Sequence, residues 1–144
     1  MAGYPPLLRL PSEADYRAHF EATYCRTPVF TFDGLIVRFR KDDFDHCFFE
    51  STQRNRIKDQ FSTARAERMD WIKAALADPN ADRFMGWDRD TRQYRQDRRV
   101  TLVCGNYVVV ISLIDTQRAR FITAYVADTP SSLQKLKRSP RWTP

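Results

Sequence analysis

Arg99, Thr101, Ser112, Thr123 and Tyr125 are spaced so that strand alternation gathers them on one surface. A guanidinium, hydroxyls and a phenol held together suit the binding or cleavage of a phosphodiester, whose charge they can neutralise and whose oxygens they can orient. The spacing that gathers them is that of a three-stranded antiparallel meander. A strand from Val100 to Cys104 meets one from Tyr107 to Ile114 through Gly105-Asn106, a pair able to take the positive φ angles of a two-residue hairpin turn. That turn sets Cys104 opposite Tyr107 and Arg99 opposite Ser112. If Asp115 to Arg118 form a four-residue loop, Ile114 faces Ala119, Ser112 faces Phe121, Val110 faces Thr123 and Val108 faces Tyr125. One face of the sheet is then apolar (Val100, Leu102, Cys104, Tyr107, Val109, Ile111, Leu113, Ile122, Ala124, Val126) and suited to helices. The chemical residues lie on the other, among Val108, Val110 and Phe121. The plain alternative is a half-solvated face without a chemical role, and a one-residue change in the second loop would move Thr123 and Tyr125 across.

His46 is the second centre of interest, because imidazole is the side chain that naturally titrates near neutral pH. Asp45, Glu50, Arg54, Arg56 and Lys58 stand close to it in sequence. A phosphodiester site needs such a set: a base, an acid and cations for the developing charge. The competing reading is a loop histidine packed among Phe44, Phe48 and Phe49. His19, one turn after Tyr16, reads as a helix-boundary residue. No nucleophile-elbow sequence occurs, and four glycines at positions 3, 34, 86 and 105 cannot compose a phosphate-binding loop. Nucleotide hydrolysis and dinucleotide redox chemistry are disfavoured, and no cofactor is expected. Cys25, Cys47 and Cys104 are an odd, widely spaced set, read as reduced thiols with two of them buried. With only two histidines and no Cys/His cluster, no metal site is expected, although sites of carboxylates alone stay open.

The chain carries a formal net charge of +6, which makes a polyanion a natural partner. Arginines crowd Arg83 to Arg99 with Trp87 and Tyr94 interleaved, and the tail supplies Lys135, Lys137, Arg138, Arg141 and Trp142. Positive groups mixed with aromatic faces suit a single-stranded nucleic acid, which offers phosphates and unstacked bases together. An ordinary solvated arginine-rich loop is the alternative for each segment.

These groups need elements to hold them. The length of 144 residues fits one domain, 1–144, with a core burying about two-thirds of the unfolded surface. Residues 1–11 read as a loose lead-in. Ser12 caps a short helix carrying Tyr16, Phe20 and Tyr24. Asp33-Gly34 marks a hairpin within Val29 to Arg40. Lys41 to Lys58 reads as an irregular piece fixed by its phenylalanines. A helix from Ser62 to Ala77 presents Ala66, Met69, Ile72 and Leu76 to the core and stops before Pro79. Arg83 to Asp88 reads as a strand, Asp88 to Asp97 as a polar turn, and a last helix starts after Pro130. No apolar run is long enough to span a bilayer and no signal-peptide pattern opens the chain, so a cytoplasmic protein without membrane contact is expected.

The segments FDHCFFES, FSTARAERMDWIKAAL, RRVTLVCGNYVVVI, ARFITAYVAD and KLKRSPRW, in this order, resemble the phage-encoded branch of the barnase, EndoU, colicin and RelE-like nucleases, the PBECR family. The resemblance covers residues 42–142. It implies an α+β, BECR-like fold in which N-terminal helices pack on a four-stranded, or slightly larger, antiparallel sheet. It also implies a metal-independent endoribonuclease, of a kind that often acts as a toxin on tRNA or other translation RNAs in the host cytoplasm and is held in check by a cognate inhibitor or immunity protein. Carried over by motif, the catalytic set is His46 and Glu50 from FDHCFFE, Arg99 from RRV, and Thr123 and Tyr125 from ITAY. Arg54, Lys58, Arg98, Arg141 and Trp142 would contact flanking RNA. Two other classes fit the same residues: a catalytically silent nucleic-acid-binding or partner-binding phage protein, and an ADP-ribosyl or phosphoryl transferase.

Overall fold

The computed structural model describes residues 3–53, Asn55 and 57–143. In chain order the elements are α1 (Glu13–Phe20), β1 (Val29–Phe30), β2 (Ile36–Arg38), α2 (Asp43–Phe48), β3 (Phe49–Glu50), β4 (Gln60–Phe61), α3 (Thr63–Ala66), α4 (Met69–Leu76), β5 (Asp82–Asp88), β6 (Gln93–Cys104), β7 (Tyr107–Leu113), β8 (Arg118–Val126) and α5 (Pro130–Lys137). The fold is α+β. A six-stranded sheet runs β1-β2-β8-β7-β6-β5, and β3 with β4 forms a separate small hairpin. The expected antiparallel sheet is corrected in one respect: β2 lies parallel to β8, so the sheet is mixed. The four strands β5 to β8 remain antiparallel throughout.

The meander forms where local turn chemistry requires it. Gly105 has φ 62°, and its turn sets Cys104 against Tyr107 and Arg99 against Ser112, as the sequence predicts. The second hairpin departs from expectation halfway along. Val110 faces Thr123 and Val108 faces Tyr125, but a β-bulge then inserts Ile122, so Ile111 faces Phe121, Ser112 faces Arg120 and Leu113 faces Ala119. One extra residue moves everything before it to the opposite face. Phe121 and Ala119 therefore enter the core, both fully buried, and Phe121 stacks on Phe39. Arg120, in turn, joins the outer face.

The inner sheet face packs on the first four helices. Ser12 caps α1 by accepting from the Asp15 amide, and a single π-turn (Glu21–Cys25) extends α1 so that Tyr16, Phe20 and Tyr24 all reach the core. Phe20, Phe44, Phe48 and Phe61 form an edge-to-face and stacked cluster beneath α2. Asp43 to Glu50 is thus more regular than expected, since its phenylalanines drive a short helix and a hairpin strand. The helix expected from Ser62 to Ala77 is broken at Glu67 and Arg68 into α3 and α4. The cause lies in the carbonyls at the break. Leu8 N–H donates to Glu67 O at 2.8 Å, the Tyr107 hydroxyl to Arg68 O at 3.3 Å and the Tyr24 hydroxyl to Met69 O at 2.5 Å. Donors from distant segments thus help satisfy carbonyls at and just after the break, which offsets its cost.

The lead-in is also less loose than expected. It holds no regular element, yet Trp71 Nε1 donates to Pro5 O at 2.7 Å, the Tyr4 hydroxyl donates to Asp78, and Leu8 and Leu10 pack on the core. On the outer sheet face α5 lays Leu133 and Leu136 over Phe84, Val103 and Val108. Past α5 the tail turns back as an added bridge on β5, with Phe84 opposite Arg141 and the Trp142 amide donating to Arg83 O. All three cysteines are free thiols, with Cys47 and Cys104 buried. No helix among the described residues is long and apolar enough to cross a membrane.

Candidate functional site

The site grows from an incomplete strand pairing. β2 covers β8 only over Arg118, Ala119 and Arg120, and it leaves the edge of β8 beyond them without a strand partner. Helix α2 lies along that gap. The Cys47 thiol donates to Ala124 O at 3.4 Å, and Asp43, one turn earlier, feels the Arg120 guanidinium. Burial lifts the Asp43 carboxyl above the usual carboxylate range, against the pull of the Arg40 amide and of Arg120. Burial likewise pushes the Cys47 thiol up to about 11, so it serves as a neutral packing group.

At the C-terminal end of α2 the chain straightens into β3 and projects Glu50 toward α3. Arg65 Nε lies 3.6 Å from Glu50 Oε1, and Arg65 Nη1 donates to Cys47 O at 3.2 Å, which ties α3 to the end of α2. Glu50, Arg65, Arg68, Tyr125 and Asp128 line one cleft of about 300 Å³. Tyr125 is half-buried there. Burial raises its phenol above the ordinary tyrosine value, with Arg65 acting in the other direction, so it stays a hydrogen-bond donor at neutral pH. The cleft thus holds two carboxylates, two guanidiniums and two phenols, those of Tyr125 and the buried Tyr107, which is enough for proton transfer and for neutralising a phosphate.

A second feature crosses the outer face at right angles to the strands. Arg38 on β2 stands opposite Arg120 on β8, Arg120 opposite Ser112 on β7, and Ser112 opposite Arg99 on β6. Three strand steps span about 14 Å. None of the three arginines has a carboxylate within 4.0 Å among the described residues. Arg98 and Arg99 also line a polar cleft of about 520 Å³ with Trp87, Arg89 and Ser112.

The structure brings some of the sequence-derived residues together and separates others. Glu50 and Tyr125 meet in the cleft. Thr123 sits on the same outer face beside Cys47. His46 is exposed on α2, one turn after Asp43; its ring has no hydrogen-bond partner among the described residues and does not line the cleft. Arg99 lies two strands away from β8, so it is not in the cleft of Glu50 and Tyr125. Lys58 is exposed, while Arg54 and Arg56 fall outside the described residues. Arg141 is paired with Asp82 at 3.0 Å. Trp142 is corrected outright as an RNA contact: it is 8% exposed, packs in the core and donates its indole N–H to Gln96 O at 2.8 Å, so no face is free for a base. His19 Nε2 lies 2.7 Å from Asp70 Oδ1 and joins α1 to α4.

Sequence reasoning missed Arg65, Arg68, Asp128, Arg120 and Arg38. Arg65 and Arg68 are spaced one turn apart beside the stripe of Ala66 and Met69, a signal that was readable. Arg120 was hidden by the bulge. No family model, curated protein or solved structure matches the chain.

Proposed function

We propose that this protein is an endoribonuclease that cleaves RNA without a metal ion, with its reaction centre in the cleft of Glu50, Arg65 and Tyr125. The observation that carries the reading is the convergence, at the uncovered edge of β8, of a carboxylate, a guanidinium and a phenol drawn from three separate segments. The motif resemblance to phage-encoded BECR nucleases adds support for Glu50 and Tyr125 from an independent direction.

In the proposed reaction the RNA 2′-hydroxyl loses its proton to Glu50 and its oxygen attacks the adjacent phosphorus. The bond to the 5′-oxygen breaks, and that oxygen leaves with a proton, giving a 2′,3′-cyclic phosphate and a free 5′-hydroxyl. His46, exposed on α2, is the candidate to donate that proton on the motif resemblance alone, as its ring does not line the cleft. In the reverse assignment it takes the first proton and Glu50 assists. Arg65 and Arg68 balance the charge of the phosphorane, and Tyr125 and Thr123 hydrogen-bond its oxygens. Arg99 moves from the reaction centre to the flanking backbone, together with Arg98 and Arg120. Lys58 and Arg141 are outlying contacts. A cognate inhibitor protein would cover this cleft.

The test is incubation of the protein and of Glu50→Gln and His46→Ala variants with end-labelled tRNA and total RNA in EDTA, followed by analysis of the product ends. Cyclic-phosphate ends from the parent, strongly reduced in Glu50→Gln, are the expected result. Intact RNA after long incubation, with binding retained, would favour the catalytically silent reading, in which the same basic face recognises RNA without cutting it.

A further inference from the structure

We infer that the groove between the Trp87–Tyr94 hairpin and α5 is a nucleobase pocket, and that the protein therefore takes its RNA as a single strand threaded from the Glu50 cleft across to Arg98 and Arg99. The inference deepens the proposed function and rests on it for the identity of the ligand. Three observations carry it.

The first is continuity. Tyr125 lines both the cleft of Glu50 and Arg65 and a second groove of about 400 Å³, whose other walls include Thr101, Gly86, Trp87, Tyr94 and Lys135. Trp87 in turn lines both that groove and the polar cleft of Arg98 and Arg99. Three depressions thus form one path that starts beside the edge of β8 and continues over the outer face, sharing a residue at each junction.

The second is the order of chemistry along the path. Its ends carry guanidiniums alongside carboxylates, Glu50 and Asp128 at one and Asp88 and Asp90 at the other, and its middle is mostly apolar and aromatic. A nucleic-acid strand has that same alternation of charged backbone and flat apolar base. A duplex does not present it, because its bases are stacked inside.

The third is the state of the two hairpin aromatics. Trp87 and Tyr94 face each other across β5 and β6 with ring centroids 5.2 Å apart, yet they remain 52% and 41% exposed. Large aromatics usually find cover in the folded chain. Here they stand at the tip of a hairpin, next to Arg98 and Arg99, where a base can stack on either ring and the following phosphate meets the guanidiniums.

The test uses labelled single-stranded 2′-O-methyl RNA, which lacks the attacking hydroxyl and stays intact, together with its duplex form, with affinity read by fluorescence anisotropy. The parent should bind the single strand at least about tenfold more tightly than the duplex. Trp87→Ala should lose about tenfold for the single strand with little change for the duplex, since each stacked base contributes on this scale. Trp87→Phe, which keeps an aromatic face, should recover most of the loss and so separate stacking from any disturbance of the hairpin. Equal binding of single strand and duplex, or a Trp87→Ala variant that binds like its parent, would overturn the inference even if cleavage is confirmed. A parent that cuts no RNA but shows the Trp87-dependent preference would overturn the proposed reaction and leave the base pocket standing.

Discussion

Gly86 and Arg99 approach so closely that a methyl group on Gly86 would overlap the Arg99 Cβ. The contact arises where β5 and β6 change register: Met85 faces Val100 while Gly86 faces Arg95, leaving residues 96–99 as a long bulge folded over the glycine. Because the obstructing atom is bound directly to the backbone, no rotamer change relieves it. Gly86→Ala should therefore destabilise the fold by about 1–3 kcal/mol, as overpacking does. It should also displace Arg99 and, on the proposed function, weaken RNA binding. Urea unfolding and an anisotropy titration of the same variant check both parts.

Phe121 offers a direct reading of the β8 bulge. A strictly alternating β8 places it on the outer face, where truncation would change stability little. In the structure it is fully buried and stacked on Phe39 at 4.6 Å between ring centroids. Phe121→Ala should cost about 3–5 kcal/mol in urea unfolding. A loss below about 1 kcal/mol would mean that the bulge is absent and that Arg120 points inward, which would also dissolve the arginine row.

The parts of the molecule written in local chemistry were legible. Gly105-Asn106 fixed one hairpin register, Ser12 and Ser62 both cap helices, and the apolar inner face holds from Val100 to Ile111, whereas the outer face there is largely apolar too, with Val103 and Val108 buried under α5. The rest depended on contacts distant in sequence. The bulge at Ile122 has no glycine or proline to mark it. The break between α3 and α4 follows from donors on Leu8, Tyr24 and Tyr107, none of them near it in sequence. Trp142 read as a surface aromatic in a basic tail until the tail paired with β5 and met the carbonyl of Gln96. For the candidate site, motif and alternation singled out Glu50 and Tyr125, which line one cleft. Arg65 was overlooked because its helix had been assigned wholly to the core.

Stability should fall on the alkaline side. Burial raises the Cys47 thiol from 9.0 to about 11, and it lifts the phenols of Tyr24 and Tyr107 above their ordinary 10.0. The folded state holds these protons more tightly than the unfolded chain does. Their contribution is complete below pH 9, and it declines as the unfolded chain ionises first and the pH climbs toward the folded values. Cys47 alone would remove about 2–3 kcal/mol once the pH passes 11. Unfolding free energies measured from pH 7 to 11 should be level at first and then drop. In Cys47→Ser the drop should be smaller.

Arg65 and Arg99 should fail in different ways. Arg65 lies 3.6 Å from Glu50 and lines the cleft with Tyr125, so on the proposed reaction its removal would leave the phosphorane without its nearest cation. Arg65→Ala should lower kcat by about 10²–10³ with a modest effect on affinity, the scale seen when a single charge-stabilising donor is lost. Arg99 lies two strands from β8 and, on the proposed function, would contact the backbone of the bound strand. Arg99→Ala should weaken binding, leave kcat within a few-fold, and reduce the salt dependence of binding by about 0.7 in log–log slope, the value for one phosphate contact on a single strand. Single-turnover kinetics at several salt concentrations separate the two. If Arg99 instead governs kcat while Arg65→Ala turns over like the parent, the reaction centre lies at the polar cleft of Trp87 and Ser112, and Glu50 has no part in it.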